Sequence, residues 1–343
     1  MSNELKDYSL VELKALAEEL GEKAFRGEQL FEWLYKKNIS SLDEASNLPK
    51  SFVYKLDDYL PVMTLSQCDA LYSSQDDTVK FLFETLDKKY IESVLMSYRY
   101  GKTICISSQA GCRMGCKFCA SAIGGLERNL SAGEMLDQYL LAMKHCGEKI
   151  GHIVIMGTGE PFDNLKNVMK FIEIITDQKG IGISKRSITI STCGLLPEMQ
   201  KFYEKFPQVN IAISLHSADD KVRSDIMPIN KKYPVAELIK GARAYVETTG
   251  RRVTFEYALI KDVNDCDADL VKLINLLRGM NCHVNIIPLN TVSEIDYKSV
   301  NIDSAKKAAE LLESKGITAT VRRELGRDID SACGQLRLRY TAG

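Results

Sequence analysis

The stretch Cys112-Arg-Met-Gly-Cys116-Lys-Phe-Cys119 places three cysteines in one short segment, with a glycine directly before each of the first two. Glycine eases tight turns, so we expect one loop to wrap the three thiolates around a single point. Iron–sulfur clusters are ligated by cysteine thiolates. A cubane cluster held by only three of them keeps one iron open for a substrate, much as a catalytic zinc keeps an open position. The sequence therefore predicts a [4Fe–4S] cluster on this loop.

A structural zinc site that uses Cys105 as its fourth ligand is the alternative. Such sites usually have four ligands in two close pairs, and no second pair follows Cys119. The chain contains ten cysteines, and four of them lie between positions 105 and 119. This clustering indicates metal or redox chemistry. Five other cysteines match no chemical motif and are interpreted as structural: Cys68, Cys146, Cys193, Cys266 and Cys282.

The overall composition restricts the class of protein. Apolar residues make up 45% and charged residues 27% of the 343 residues, which is typical of a globular chain. The N-terminus is polar and acidic, and no apolar run could span a bilayer, so we expect a cytoplasmic protein without a membrane partner. The formal net charge of −1 excludes a general attraction for nucleic acid. Any RNA binding must then come from local basic patches.

Strand and helix patterns alternate after the cysteine stretch. Strands are predicted at 102–107, 152–156, 187–191, 209–215, 252–260, 283–288 and 318–321. Helices are predicted to begin between them, one of them at the capping box formed by Ser131 and Glu134. Six βα units in a row predict an α/β fold in which a parallel sheet curls into an open, partial (βα)6 barrel. Functional residues of such sheets gather at the carboxyl ends of the strands.

The remaining segments suggest a division into three parts. Residues 1–60 have helical periodicity, starting with a capping box at Ser9 and Glu12, and predict a small helical accessory domain. Residues 61–98 are predicted to form a connecting β segment. Residues 99–343 are predicted to form the barrel domain, including a C-terminal loop that contains Cys333.

The cysteine triplet and several further motifs resemble the RlmN/Cfr family of the radical S-adenosylmethionine (SAM) superfamily. These motifs are Cys105-Ile-Ser-Ser-Gln, Arg128-Asn-Leu, Met156-Gly-Thr-Gly-Glu-Pro161, Ser191-Thr-Cys-Gly194, Ser214-Leu-His216, Met227-Pro-Ile-Asn230 and Asp328-Ile-Asp-Ser-Ala-Cys333-Gly-Gln-Leu336. The resemblance covers nearly the whole chain and includes the N-terminal region, which is similar to the RNA-binding accessory domain of the family.

The resemblance implies a SAM-dependent enzyme that methylates adenine 2503 of 23S ribosomal RNA. Some members also modify adenine 37 of transfer RNAs. It implies a [4Fe–4S] cluster on Cys112, Cys116 and Cys119, two SAM molecules per turnover, and a reducing partner such as flavodoxin or ferredoxin. The leading candidate for the methylated atom, carbon 2 of the adenine ring, is neither acidic nor nucleophilic, so a cofactor must carry the difficult chemistry.

The resemblance also assigns three reactive residues. Cys333 would receive a methyl group from one SAM and become S-methylcysteine, and Cys105 would later close a transient disulfide with it. Glu92 corresponds to a carboxylate that accepts a proton in the family. Without the resemblance, Cys105 would be interpreted as a small buried hydrophobe in a strand, between Ile104 and Ile106.

Seven residues at predicted strand ends correspond to SAM contacts of the family: Gly159, Glu160, Ser191, Ser214, Leu215, His216 and Asn290. Glycine lets the backbone approach a ligand closely, and the carboxylate of Glu160 can accept hydrogen bonds from an amino group. One departure is Thr291, where the family commonly has proline.

The atom that is methylated separates two branches of the family. The branch that methylates carbon 2 carries Gly-Glu-Pro, as at 159–161 here, whereas the branch that methylates carbon 8 carries Gly-Glu-Ala. Carbon 2 is therefore the leading hypothesis and carbon 8 the alternative. A hypothesis of another class is a non-catalytic RNA-binding protein with a structural metal site.

Overall fold

The computed structural model describes residues 4–290, 294–323, 325–329 and 336. The strands in these residues are β1 (Ser66–Tyr72), β2 (Val79–Glu84), β3 (Tyr90–Tyr98), β4 (Gly101–Ile106), β5 (Gln109–Gly111), β6 (Leu126–Asn129), β7 (His152–Ile155), β8 (Ile188–Thr192), β9 (Asn210–Ser214), β10 (Val253–Leu259), β11 (Cys282–Pro288) and β12 (Thr318–Val321). The α-helices are α1 (Leu10–Glu19), α2 (Ala24–Glu32), α3 (Lys50–Tyr59), α4 (Ala132–Cys146), α5 (Leu165–Ile175), α6 (Leu196–Lys205), α7 (Asp220–Ile226), α8 (Val235–Thr249), α9 (Asp267–Leu277) and α10 (Ile302–Ser314). A π-helical turn, Trp33–Lys37, continues α2.

Ten strands form one sheet in the order β1-β2-β3-β4-β7-β8-β9-β10-β11-β12, and β5 pairs with β6 in a separate ribbon. β1 to β4 are antiparallel, whereas β4 and β7 to β12 are parallel. A helix connects each consecutive pair of parallel strands, as parallel pairing requires a crossover. β1 and β12 are the two ends of the sheet, so the barrel is open. The predicted α/β fold, a partial (βα)6 barrel preceded by a small helical region, is confirmed.

The parallel strands have one apolar and one more polar face because successive side chains of a strand point to opposite sides. In β11, Val284 and Ile286 are buried in the main core, which also contains Leu273 of α9 and Leu312 of α10. Asn285 lies between them, is only half-buried, and points to the other face, the barrel interior. The interior therefore carries the polar side chains that could contact a ligand.

The N-terminal helices share the main core and do not form a separate one. Phe31 and Tyr35 belong to the same cluster of buried residues as Tyr139 of α4. Lys6 Nζ lies 2.9 Å from Asp137 Oδ1 of the same helix, and these side chains are 1% and 0% exposed. Removing one partner of a buried ion pair leaves an uncompensated charge. The predicted accessory region is therefore anchored firmly on α4.

Local sequence signals predict some elements better than others. The capping boxes expected at Ser9–Glu12 and Ser131–Glu134 are both present and begin α1 and α4. α7, with only seven residues, and the β5–β6 ribbon have no counterpart among the predicted elements. In the described part of the chain, every helix is too short or too polar to cross a lipid bilayer.

Candidate active site

The three clustered cysteines line one cavity of about 170 Å³, which we call the cysteine cavity. It lies at the carboxyl ends of β7, β8 and β9, where Met156, Ser191 and Ser214 contribute to its wall. The remaining lining residues are Met114, Phe118, Ser121, Ile155, Gly157, Gly159, Glu160, Pro161, Thr192, Cys193, His216 and Met227. The structure thus brings the cysteine loop to the strand ends at which the sequence predicts functional residues.

Backbone contacts hold the cysteine loop in place. The N–H of Cys112 donates to Gly125 O (2.9 Å), and the N–H of Lys117 donates to Ile226 O (2.9 Å). Gly111 has a φ of +76°, and a Cβ at this position would collide with the carbonyl oxygen of Gly125. Only glycine allows this conformation and this close approach together. The loop is therefore fixed by the β5–β6 ribbon on one side and by the end of α7 on the other.

The three cysteines fit an iron–sulfur cluster, because their thiols border one cavity and such clusters are ligated by cysteine thiolates. A structural zinc site would need a fourth ligand. Cys105, the fourth ligand of the zinc alternative, is not among the lining residues.

Burial also affects whether these thiols are protonated or ionised. It raises the pKa of the Cys112 thiol to about 12, and it raises the pKa of the Cys116 thiol as well. Buried thiols of this kind ionise near neutral pH only beside a compensating positive charge. The iron ions of a cluster supply that charge, so the donor set is chemically consistent with one.

Glu160 supplies a carboxylate to the cavity and is only 4% exposed. Its Oε2 accepts from the N–H of Cys193 (2.7 Å), and its Oε1 accepts from the N–H of Phe162 (3.1 Å). Burial raises the pKa of Glu160, and the hydrogen bond from Cys193 opposes this shift. A carboxylate can accept several hydrogen bonds, so a cationic ligand such as an amino group could bind here and stabilise the ionised form.

His216 contributes a neutral imidazole ring. Its Nδ1 accepts from the N–H of Ala258 (2.8 Å), which assigns the proton of the neutral ring to Nε2. Burial, together with the positive charge of Arg223, lowers the pKa of His216 to about 3. The ring packs edge-on against Phe118 of the cysteine loop, with centroids 4.9 Å apart. His216 can therefore donate a hydrogen bond, but it is not a proton carrier near neutral pH.

Five of the seven residues predicted to bind SAM line the cysteine cavity, namely Gly159, Glu160, Ser191, Ser214 and His216. The side chain of Leu215 is instead fully buried in the main core. Asn290 is exposed two residues beyond the end of β11, directly before residues 291–293, which lie outside the described part. Neither Leu215 nor Asn290 is among the residues that line the cavity.

Two residues of the site are not identified by the sequence interpretation. Cys193, interpreted as structural, lines the cavity. The sequence feature that could have identified it is its position inside the motif that starts at Ser191. Arg223 is fully buried and donates to the carbonyl oxygens of Cys193, Ser214 and Leu215 at 2.9–3.1 Å. Burial lowers the pKa of Arg223 to about 10, so its guanidinium stays charged at neutral pH. It therefore joins the ends of β8 and β9 beneath the cavity.

Cys105 and Glu92 lie on the face of the sheet that points to the barrel interior. Cys105 is 5% exposed and packs with Val94 of β3. Met156 packs against the same cluster and also lines the cysteine cavity, so it connects the two. Glu92, on the same face of β3 as Val94, forms a 3.1 Å ion pair with Lys80, and these side chains are 3% and 0% exposed. Lys80 is a further interior residue that the sequence does not single out.

A set of hydrogen bonds ties the segment 325–329 to the turn between β1 and β2. Asp328 accepts from the hydroxyl of Ser73 (2.7 Å) and from the N–H and hydroxyl of Ser74 (2.7 and 2.9 Å). The hydrogen bond from Ser73, with those from Ser74, lowers the pKa of Asp328 to about 2. The N–H of Gly326 donates to Asp76 Oδ2 (3.0 Å). We call these contacts the C-terminal clasp.

The C-terminal clasp holds the segment 325–329 near the cluster of buried residues that contains Cys105. Leu325 packs against the cluster that contains Cys105. The predicted reactive residue Cys333 lies outside the described residues, four positions beyond Ile329, the last residue of the segment. No disulfide joins two cysteines of the described part of the chain. Because Cys333 lies outside that part, the expected bond between Cys105 and Cys333 stays a prediction.

Comparison with known proteins adds family relationships to this geometry. Residues 106–274 match the model of the radical SAM superfamily, and residues 3–62 match that of the ribosomal RNA large subunit methyltransferase N-terminal domain. A probable dual-specificity RNA methyltransferase RlmN of Clostridium perfringens is 47% identical, covering 97% of this chain and 96% of the relative. Its counterpart in Caldanaerobacter subterraneus is 47% identical over 98% of both chains. The crystal structure of a radical SAM methyltransferase from Sphaerobacter thermophilus has a TM-score of 0.94 and 41% identity, covering 97% of this chain and 99% of that one.

Proposed function

Because this chain belongs to the RlmN family of SAM-dependent RNA methyltransferases, we propose that it transfers a methyl group to carbon 2 of adenine. The proposed substrates are adenine 2503 of 23S ribosomal RNA and adenine 37 of transfer RNAs. The observation that carries the proposal is the junction at Met156, where the cysteine cavity meets the interior cluster containing Cys105. In this proposal, the radical would form next to a thiol that could act on its product.

The proposal assigns a [4Fe–4S] cluster to Cys112, Cys116 and Cys119, and SAM to the wall formed by the ends of β7 to β9. When bound, the cluster supplies the electron that cleaves SAM and produces a radical able to functionalise an unreactive carbon. Flavodoxin or ferredoxin is the proposed source of that electron. Two SAM molecules would be used in each turnover, one as the methyl donor and one as the radical source.

The residues of the cavity wall would hold and orient SAM. Glu160 has its carboxylate held by two backbone N–H groups, so the carboxylate has a defined orientation and could accept from the amino group. His216 can donate from Nε2 because its Nδ1 is already used by the backbone. Ser191 and Ser214 add hydroxyl groups at neighbouring strand ends. Such a pre-arranged site needs little reorganisation when the ligand binds.

Cys333 is the proposed carrier of the methyl group, as S-methylcysteine, and Cys105 is the proposed resolving thiol. Loss of a hydrogen atom from the S-methyl group would let its carbon add to the base. Cleavage of the carbon–sulfur bond would then leave the new carbon on the base as the two cysteines form a disulfide and the Cys105 thiol loses its proton. That carbon would take up a proton to become the methyl group, and the one remaining electron would return to the cluster that supplied it. Glu92 would accept the proton that leaves carbon 2. The C-terminal clasp supports this assignment, since Leu325 packs against the cluster that contains Cys105.

The cluster assignment is tested with Cys116→Ser and a matched control, Cys193→Ser. Both cysteines line the cysteine cavity, but only Cys116 belongs to the triplet. Under anaerobic conditions with iron and sulfide, Cys116→Ser should lose most of its iron and its reductive cleavage of SAM. Cys193→Ser should retain its iron. One bound zinc per chain in place of iron, or equal losses of iron in the two variants, would contradict the proposal.

The methylated position is tested separately by mass spectrometry of nucleosides from an RNA hairpin that contains the target adenine. The proposal predicts 2-methyladenosine. Exclusive formation of 8-methyladenosine would support the other branch of the family, and RNA binding without methylation would support the non-catalytic hypothesis.

A further inference from the structure

A second cavity, of about 500 Å³, lies beside the cysteine cavity and has three lysines in its wall: Lys166, Lys201 and Lys232. We call it the lysine cavity. Its apolar surface comes from Phe162, Leu165, Met169 and Leu195. Two acidic residues, Asp163 and Glu198, complete the lining. The lysines come from α5, from α6 and from the segment before α8, so three separate parts of the chain direct positive charge to one place.

These lysines form no ion pair within the part of the chain that the structure describes. Other lysines on the same helices do: Lys170 of α5 pairs with Glu12, and Lys205 of α6 pairs with Glu173. One of the acidic lining residues, Asp163, is already engaged by Arg113. The lysine cavity therefore has an excess of positive charge on a chain whose formal net charge is −1.

The two cavities are adjacent because three chain segments contribute to both. Glu160 and Pro161 line the cysteine cavity, and the next two residues line the lysine cavity. Cys193 lines the first cavity, and Leu195 lines the second. Met227 lines the cysteine cavity, and Lys232, five positions further along the chain, lines the lysine cavity. If one nucleotide of an RNA chain enters the cysteine cavity, the nucleotides next to it would therefore lie close to these lysines.

We propose that the lysine cavity binds the phosphodiester backbone of the substrate RNA next to the adenosine that is methylated. The inference rests on the proposed function and adds to it the surface that holds the RNA. Phosphate contacts by lysine dominate the affinity of proteins for nucleic acids, and a base must leave its stack before chemistry on its edge. Phosphates flanking an extruded nucleotide lie near the active site, where lysine side chains can bind them. The lysine cavity is placed to be that partner.

The test measures how RNA affinity depends on salt for the triple variant Lys166→Gln/Lys201→Gln/Lys232→Gln. Binding of a fluorescent RNA hairpin containing the target adenine is followed by anisotropy between 50 and 300 mM KCl. Each phosphate contact contributes about 0.7–0.9 to the slope of log K against log salt. Loss of three contacts should reduce the slope by about 2 and weaken binding at 100 mM KCl by roughly tenfold or more.

A second triple variant is the matched control: Lys179→Gln/Lys205→Gln/Lys272→Gln. It removes the same formal charge, but these lysines are paired with Glu28, Glu173 and Asp219 and lie outside the lysine cavity. Its slope should change by less than 1. Thermal unfolding and iron content are measured for both variants, so that misfolding is recognised.

Equal slopes for the two triple variants, or a slope unchanged from the parent protein in the first, would overturn the inference. The binding assay does not depend on catalysis. A parent protein that binds RNA through these lysines without methylating it would therefore contradict the proposed function and leave the assignment of the lysine cavity standing.

Discussion

Replacing Gly159 with alanine should destabilise the protein by about 2–6 kcal/mol. Gly159 has a φ of +111°, and an added Cβ would lie 2.7 Å from Gln109 Cβ and 2.8 Å from Ser108 Oγ. A non-glycine residue in such a backbone conformation costs about 1–3 kcal/mol, and forcing a methyl group into a packed site costs about another 1–3 kcal/mol. Gln109 cannot move aside easily, because its side chain donates to Asn129 and accepts from Glu160.

Two matched glycines separate these contributions. Gly147 has a φ of +67°, and a Cβ added there would have no other atom within 4 Å, so Gly147→Ala should cost about 1–2 kcal/mol from the backbone alone. Gly157 has no positive φ, but a Cβ there would lie 2.7 Å from Ile106 O. Gly157→Ala should therefore cost about 1–3 kcal/mol from the contact alone.

Equilibrium urea unfolding of the three variants under anaerobic conditions measures these differences. Gly159→Ala should be the least stable of the three and should also bind SAM more weakly in equilibrium dialysis, because the displaced backbone carries Glu160. A cost for Gly159→Ala no greater than that for Gly147→Ala would refute the described packing around Gly159. Unchanged SAM affinity in a variant with the expected loss of stability would refute the role given to this strand end.

Three further predictions concern other parts of the fold. Lys6→Met should lower the free energy of unfolding by about 3–5 kcal/mol, because Asp137 is left buried without its partner; a loss below about 1 kcal/mol in urea unfolding would contradict the anchoring of the N-terminal helices. His216 has a folded pKa of about 3, below its ordinary value of 6.5, so unfolding takes up a proton and the parent protein loses stability as pH falls from 6.5 towards 3, by up to about 1.4 kcal/mol per pH unit. His216→Asn, which keeps an acceptor for the N–H of Ala258 and tolerates the φ of 54°, should lose less stability over that range, and identical acid profiles would contradict the described burial. Asp328→Ala should speed limited proteolysis of the C-terminal segment, and an unchanged cleavage rate would show that the clasp does not restrain it.

Much of the fold can be predicted from local patterns. Alternating apolar strands and helices predict the parallel sheet, and the capping boxes at Ser9 and Ser131 predict two helix starts, because these signals act within a few residues. The spacing of Cys112, Cys116 and Cys119 predicts a shared ligand site for the same reason. These three cysteines do border one cavity in the structure.

The parts that could not be predicted depend on contacts between distant segments. Arg223 is one of several charged residues in its helix, and only the folded chain shows that it is buried against the carbonyl oxygens of two other segments. Lys80 and Glu92 become a buried pair only when β2 and β3 align. The side chain of Leu215 enters the core because it follows a strand whose alternate residues face the helices. None of these contacts can be predicted from the spacing of residues in the sequence alone.

The most direct measurement of the proposed mechanism uses SAM whose methyl group carries three deuterium atoms, with nucleoside mass spectrometry of the RNA product. If the methyl group passes through Cys333 and loses one deuterium before it adds to the base, the 2-methyladenosine formed should contain two deuterium atoms. Cys333→Ala should give no product. A methyl group with all three deuterium atoms, or methylated RNA from Cys333→Ala, would mean direct transfer and would contradict the account.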